Sequence, residues 1–169
     1  VYDEAKRFGE TLVAHHVREG LVDAVIVRIF NTYGPRMDPF DGRVVSTFLR
    51  QMMVGDSITI HGDGSTTRSY CFVSDIILGL YLAAMSHNFG PINLGSTNEV
   101  TLLELANVMS AVMDAKLKIT YVADLEDNPT RRKPDISRAH TLLGWSPTVE
   151  LRDGITKMAQ QVIEPSKSI

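Results

Sequence analysis

The chain has 169 residues, 44% hydrophobic and 22% charged, with a formal net charge of −3 at pH 7. That is the composition of a soluble globular protein with a real core; the mild acidity and the lack of a Lys/Arg stripe exclude an electrostatic nucleic-acid binder. The longest apolar run, IILGLYLAAM, is too short to span a bilayer, the single Cys71 fits a reducing, cytoplasmic setting, and the five histidines show no paired spacing for a metal.

The chain opens VYDEAK, with Tyr2 and Lys6 one helical turn apart at the start of a predicted helix over 3–19 that ends at Gly20. Both side chains then share a face, and a phenol beside an ammonium is a means of making a proton acceptor. The helix carries two apolar stripes, Ala5–Phe8–Leu12 and Val13–Val17, so it is either central to the fold or shared with a second subunit. AVIVRIF over 24–30 reads as a buried parallel strand, and NTYGPRMDPFDGR as a loop. A helix over 44–55, a short strand over 57–60 and an HGDGST turn follow. RSYCFV (68–73) reads as one strand, with Ser74 as the N-cap of the next helix. PINLG (91–95) is a strand, Thr101 and Glu104 form a capping box for LLELANVMSAVM, KITYV (118–122) is a strand, and a charged loop runs over 123–135. ISRAHTLLGW and RDGITKMAQQVIE supply the last two helices. Alternating strands and helices give an α/β protein. G-x-G-x-x-G, the turn that holds a dinucleotide pyrophosphate at a helix N-terminus, does not occur.

Four stretches together carry a family resemblance. Y-D-E-A-K at 2–6 resembles the Y-x-x-x-K motif of the short-chain dehydrogenase/reductase superfamily. RIFNTYGPRM (28–37), GDGSTTRSYCFVSD (62–75) and RKPDISRAHTLLGW (132–145) resemble signatures of its extended, sugar-nucleotide branch, the NAD-dependent epimerase/dehydratases. Within the branch, NTYGPRM followed by DGRVVSTF, and RRKPDIS, are most similar to the UDP-glucuronate decarboxylases. The fold so implied is the C-terminal part of a Rossmann-like parallel sheet plus a smaller mixed α/β substrate-binding domain. Residues 1–30 would end the dinucleotide-binding domain, 31–169 would mainly form the substrate-binding domain, and 68–95 would return to the Rossmann part. The glycine-rich NAD turn, and the Thr and Glu that assist the tyrosine, are expected in an N-terminal half upstream of Val1. These residues alone are then expected to bind NAD poorly and to be inactive, and an upstream membrane anchor stays open.

The resemblance implies NAD as cofactor and a UDP-sugar as substrate. Tyr2 would take the proton of the sugar C4 hydroxyl, and Lys6 would favour the phenolate and hold the nicotinamide ribose. The C4 ketone would stand β to a carboxylate, and CO2 would leave. Asn31 would contact the nucleotide-sugar, although Asn also serves turns, and Thr32 would lie near the nicotinamide or cap its own turn. Arg43, a cation where the helix macrodipole disfavours one, would meet cofactor or substrate carboxylate. Arg68 would bind the pyrophosphate through its planar guanidinium, and Arg132 the UDP end. His61 near the uracil, and Arg36, stay uncommitted; Trp145 reads as packing. A homodimer through helix 3–19 is expected. A dTDP-glucose 4,6-dehydratase, a nucleotide-sugar 4-epimerase and a non-catalytic nucleotide-sugar-binding protein remain alternatives.

Overall fold

The computed structural model describes residues 1–88, 90–124 and 131–163, and for 131, 132 and 161–163 the backbone alone. Helix α1 spans Tyr2–Arg18 and no side chain in it is fully buried. Strand β1 is Val27–Ile29 and β2 is Thr32–Tyr33; α2 is Val44–Met53 and β3 is Ile58–His61. Then come β4 (Thr67–Ser69), β5 (Cys71–Phe72) and α3 (Val73–Ala84). β6 (Ile92–Leu94) and β7 (Glu99–Thr101) lead to α4 (Leu102–Met113). β8 (Ile119–Val122), β9 (Arg131–Arg132), α5 (Ser137–Leu143) and α6 (Leu151–Ile163) complete the described order. This is the expected α/β class.

Parallel pairing dominates: β1 with β6, β2 with β5, and β3 with β8. A mixed sheet of order β7-β4-β9 joins antiparallel and parallel neighbours. Two cores result. The larger packs Tyr33, Phe48, Ile58, Ile60, Leu105, Met109 and Ile155 between the β3–β8 pair and α2, α4 and α6; the smaller gathers Cys71, Ile76, Ile92, Leu94, Ala139 and Trp145 around β6 and α3.

Several expectations change in the structure. The apolar run 24–30 pairs only over Val27–Ile29, because only there does β6 run alongside. The loop after it contains β2. The stretch 68–73 breaks at Tyr70, so that β4 and β5 join different sheets. Ser74 lies inside the first turn of α3, whose N-cap is Phe72 with no side-chain cap. The capping box at Thr101 is present in both directions, the Glu104 N–H donating to the Thr101 hydroxyl at 3.0 Å and the Thr101 N–H to the Glu104 carboxylate at 2.7 Å.

The smaller core is tied to the last helices through one buried carboxylate. Asp75 accepts from the Thr148 N–H, the Thr148 hydroxyl and the Val149 N–H, each at 3.0 Å. Its own carbonyl accepts from the Trp145 indole N–H at 2.9 Å. Trp145 is packing, as read from LLGW, and it seats against Gly79, where a Cβ would lie 3.0 Å from the indole nitrogen. A bond to a charged acceptor contributes about 1.5–3 kcal/mol, and the three act as one network. Asp75→Ala in the full-length protein is therefore expected to lower urea-unfolding stability by about 3 kcal/mol, and Asp75→Asn by less. Wild-type stability in Asp75→Ala would show that the network does not hold the segment.

Candidate active site

Tyr2, Asn31, Thr32, Arg43 and Arg68 line one cleft of about 1010 Å³, together with Asp3, Arg28, Met37 and Tyr70 among others. Their positions follow from the fold. Tyr2 starts α1 and lies at the rim, 72% exposed. Lys6, one turn later, carries its ammonium 5.6 Å from the centre of the Tyr2 ring. Asn31 ends the link from β1 to β2, Thr32 opens β2, and pairing of β2 with β5 fixes both: the Asn31 carbonyl accepts from the Cys71 N–H at 2.9 Å. The Thr32 hydroxyl donates to the Phe30 carbonyl at 2.8 Å, the local turn use open from sequence.

Arg43 is the N-cap residue of α2, where a cation alone would oppose the helix dipole. Its neighbour Asp41 resolves the conflict. One Asp41 oxygen accepts from the Arg43 N–H at 2.9 Å and from the Ser46 hydroxyl, and the other lies 3.4 Å from the Arg43 guanidinium. The mismatch therefore has a structural answer, which the Asp-Gly pair in the sequence concealed. Burial alone would raise the Asp41 pKa, but the Ser46 hydroxyl, the Arg43 N–H and the guanidinium outweigh it and hold the carboxyl below its ordinary value.

Arg68 sits on β4 and donates to the Thr67 carbonyl at 2.8 Å. Parallel pairing puts the Arg132 backbone in register beside it; the Arg132 side chain lies outside what is described. Two further cleft residues escaped the sequence reading. Arg28 forms a two-pronged bond with Glu10 of α1, at 2.6 and 2.5 Å, and its signal was a charge inside the apolar run AVIVRIF. Tyr70 stands at the break between β4 and β5, with its hydroxyl buried and without a hydrogen-bond partner among the described residues. Burial pushes that phenol well above its ordinary value, the Arg68 charge opposing. His61 is turned to the carbonyl of Ala123, 3.1 Å away. Cys71 is buried, its thiol pushed up to about 12 by burial and the nearby Asp75, so it is no nucleophile at neutral pH.

The model of the NAD dependent epimerase/dehydratase family matches residues 1–95. UDP-glucuronic acid decarboxylase 4 of Arabidopsis thaliana is 48% identical over 159 residues, 94% of this chain and 36% of that protein. Decarboxylase 3 of the same plant is 44% identical, covering 94% and 46%, and UDP-glucuronic acid decarboxylase 1 of Danio rerio is 41% identical, covering 94% and 38%. The chain thus spans less than half the length of these curated relatives. Among solved structures, a UDP-glucose 4-epimerase of Thermotoga maritima with UDP-glucose superposes at TM-score 0.92 and 26% identity, over 97% of this chain and 53% of that one. A UDP-glucuronic acid 4-epimerase of Bacillus cereus, in complex with UDP-glucuronic acid and NAD, gives 0.84 at 28% identity, over 93% and 50%. Among the described residues no helix is long and apolar enough to cross a membrane.

Asp41 carries a pH prediction. Its folded pKa lies below the ordinary 3.8, so its contribution to stability is complete above that value and fades as pH falls through the folded pKa. Asp41→Asn should lose about 1 kcal/mol at neutral pH and show a shallower acid limb in stability measured from about pH 6 down to about pH 2. An acid limb unchanged by the substitution would mean that Asp41 does not contribute to it.

Proposed function

The chain belongs to the NAD dependent epimerase/dehydratase family, and we propose that it forms the acid–base and substrate-binding part of a UDP-glucuronate decarboxylase. The observation that carries the proposal is the single cleft shared by Tyr2, Asn31, Thr32, Arg43 and Arg68. Identities of 41–48% to UDP-glucuronic acid decarboxylases, over 94% of the chain, support the choice within the family. We further propose the division of the chain read from sequence. Pairing of β1 with β6, and the core shared by Cys71, Ile92 and Leu94, support a return of 68–95 to the part that 1–30 belongs to.

The residues present suit part of a dinucleotide and a nucleotide-sugar. Arginines concentrate in the cleft of a chain that is acidic overall, and the buried Tyr70 hydroxyl beside them has no partner among the described residues. Lys6 would hold the nicotinamide ribose, with Thr32 and Arg43 near the cofactor; the pyrophosphate turn is not among these residues. Bound NAD supplies reversible oxidation of the sugar at C4, and the ketone so formed is β to the C6 carboxylate and lets CO2 leave. Tyr2 accepts the C4 hydroxyl proton, with the Lys6 ammonium 5.6 Å from the centre of its ring. Arg68 and Arg132 would bind phosphate oxygens through planar guanidinium groups. Arg43, on the opposite wall, would meet the sugar carboxylate or the cofactor, and Asn31 would orient the sugar from the end of β1.

The test is release of labelled CO2 from UDP-glucuronate by the full-length protein, with no net consumption of NAD. Tyr2→Phe should lower turnover ~10²–10⁴-fold with little change in substrate binding. Turnover of UDP-glucose or dTDP-glucose, without CO2 from UDP-glucuronate, would move the protein to the epimerase or dehydratase reading. Conversion of UDP-glucuronate with its carboxylate retained would place it with the 4-epimerases that share its fold.

We also propose a homodimer through α1, supported by the exposure of Phe8 (64%) and Leu12 (44%) on that helix. An isologous contact would cover both copies at once. Replacing both residues by Asp should give monomers in sedimentation; a folded variant that stays dimeric would refute the interface.

A further inference from the structure

Tyr2, Lys6 and Glu10 follow one another at steps of four, so they lie along one face of α1. The last of the three is gripped by Arg28 of β1 through two parallel charged hydrogen bonds, and Arg28 itself lines the cleft. As a stabilising ion pair the fork matters little, because the two side chains are 50% and 25% exposed and solvent-exposed ion pairs contribute little. As a fixed point it matters more. A two-pronged guanidinium–carboxylate contact sets direction as well as distance. Eight residues of helix separate Glu10 from Tyr2, about 12 Å at 1.5 Å per residue. A tilt of α1 about the fork by roughly 5° would shift the Tyr2 ring by about 1 Å, and displacement on that scale costs ~10²-fold in rate where geometry is critical.

We propose that Glu10 and Arg28 are positioning residues for the acid–base pair: their fork sets the orientation of α1 on β1, and so the place of Tyr2 and Lys6 over the sugar. The same strand leads within two residues to Asn31 and then to Thr32, which line the same cleft, so one contact registers the proton acceptor against both groups. This rests on the reading of Tyr2 and Lys6 given under Proposed function.

The experiment compares Glu10→Gln, Arg28→Lys and the double variant in the full-length protein, with Tyr2→Phe as reference. Arg28→Lys keeps a cation in the cleft but cannot make the fork. Either single substitution should lower kcat ~10–100-fold, leave KM for the nucleotide-sugar within about threefold, and scarcely move the thermal midpoint. The double variant should be no worse than the poorer single one, because one contact is lost only once. Amide hydrogen exchange over residues 2–9 should quicken in both single variants. Normal kcat in either single variant, losses that multiply, or a loss confined to KM would overturn the proposal, the last by making Arg28 a substrate contact. Should Arg28→Lys fail to accumulate, Glu10→Gln decides alone on kcat and exchange. A harmless Tyr2→Phe would sink the acid–base reading, whereas unchanged amide exchange would sink the fork by itself.

Discussion

The whole arrangement depends on one short wall shared by two cores, residues 69–73. Along an extended chain successive side chains face opposite ways. Here Tyr70 and Phe72 enter the larger core and Cys71 the smaller one. The two cores must therefore keep a fixed relation at this wall. β5 pairs with β2 on the same stretch, which brings the Asn31–Thr32 connection against it, and β4, just before it, carries Arg68. The cleft beside this seam is lined by residues of α1, β1, α2 and β4 together with Asn31, Thr32 and Tyr70.

That constraint explains what sequence could and could not reveal. Capping at Thr101–Glu104 was legible because it is local: both partners lie within one turn, and no tertiary contact competes. The extent of α4, read as LLELANVMSAVM behind that box, was legible for the same reason, whereas α2 ends at Met53, two residues before the end read for it. The break at Tyr70 was not legible, since a continuous apolar stretch has no local feature that tells one strand from two strands in different sheets. The two- and three-residue strands β2, β7 and β9 exist because partners pass alongside, and their own residues carry little signal. Ser74 failed as a cap because the helix starts a residue earlier, as the chain turns out of β5.

For the site, the cleft takes in Tyr2, Asn31, Thr32, Arg43 and Arg68 from the resemblance, while Lys6 is not among its lining residues, and Arg43 stands there for a different physical reason. A cation at a helix start implied an external anion only so long as its surroundings were unknown, and Asp41 supplies the anion from two residues away. Arg28 was overlooked for a related reason. A charge within an apolar strand run is informative only when its partner is known, and Glu10 lies eighteen residues earlier, on another element. The cleft arginines thus enter pre-oriented by the protein itself: Arg28 by Glu10, Arg43 by Asp41, and Arg68 by the Thr67 carbonyl. Groups held before the ligand arrives lose less freedom on binding, so more of their interaction is left to discriminate among ligands.

Fold and chemistry separate at this point. A 4-epimerase shares the backbone closely at only 26% identity, so the architecture is common ground for several fates of one oxidised sugar. In the proposed reaction the first step is removal of the C4 hydroxyl proton by Tyr2 beside Lys6, and that step asks that α1 be aligned with the end of β1. The later steps depend on whether C6 bears a carboxylate and whether the cleft keeps it in place while the ketone exists. Arg43 faces that choice from the α2 side, and its guanidinium is already shared with Asp41. A carboxylate arriving there competes with one fixed in the chain, so binding would weaken the Asp41 contact as it forms its own. Arg68 stands on β4, anchored through the Thr67 carbonyl, and a planar guanidinium matches phosphate oxygens in pairs. Every nucleotide-sugar brings its phosphates, whichever group C6 bears, so a contact at Arg68 adds affinity without choosing among sugars. On the proposed reading, a C6 carboxylate would be met from the α2 side of the cleft and the nucleotide phosphates from the β4 side.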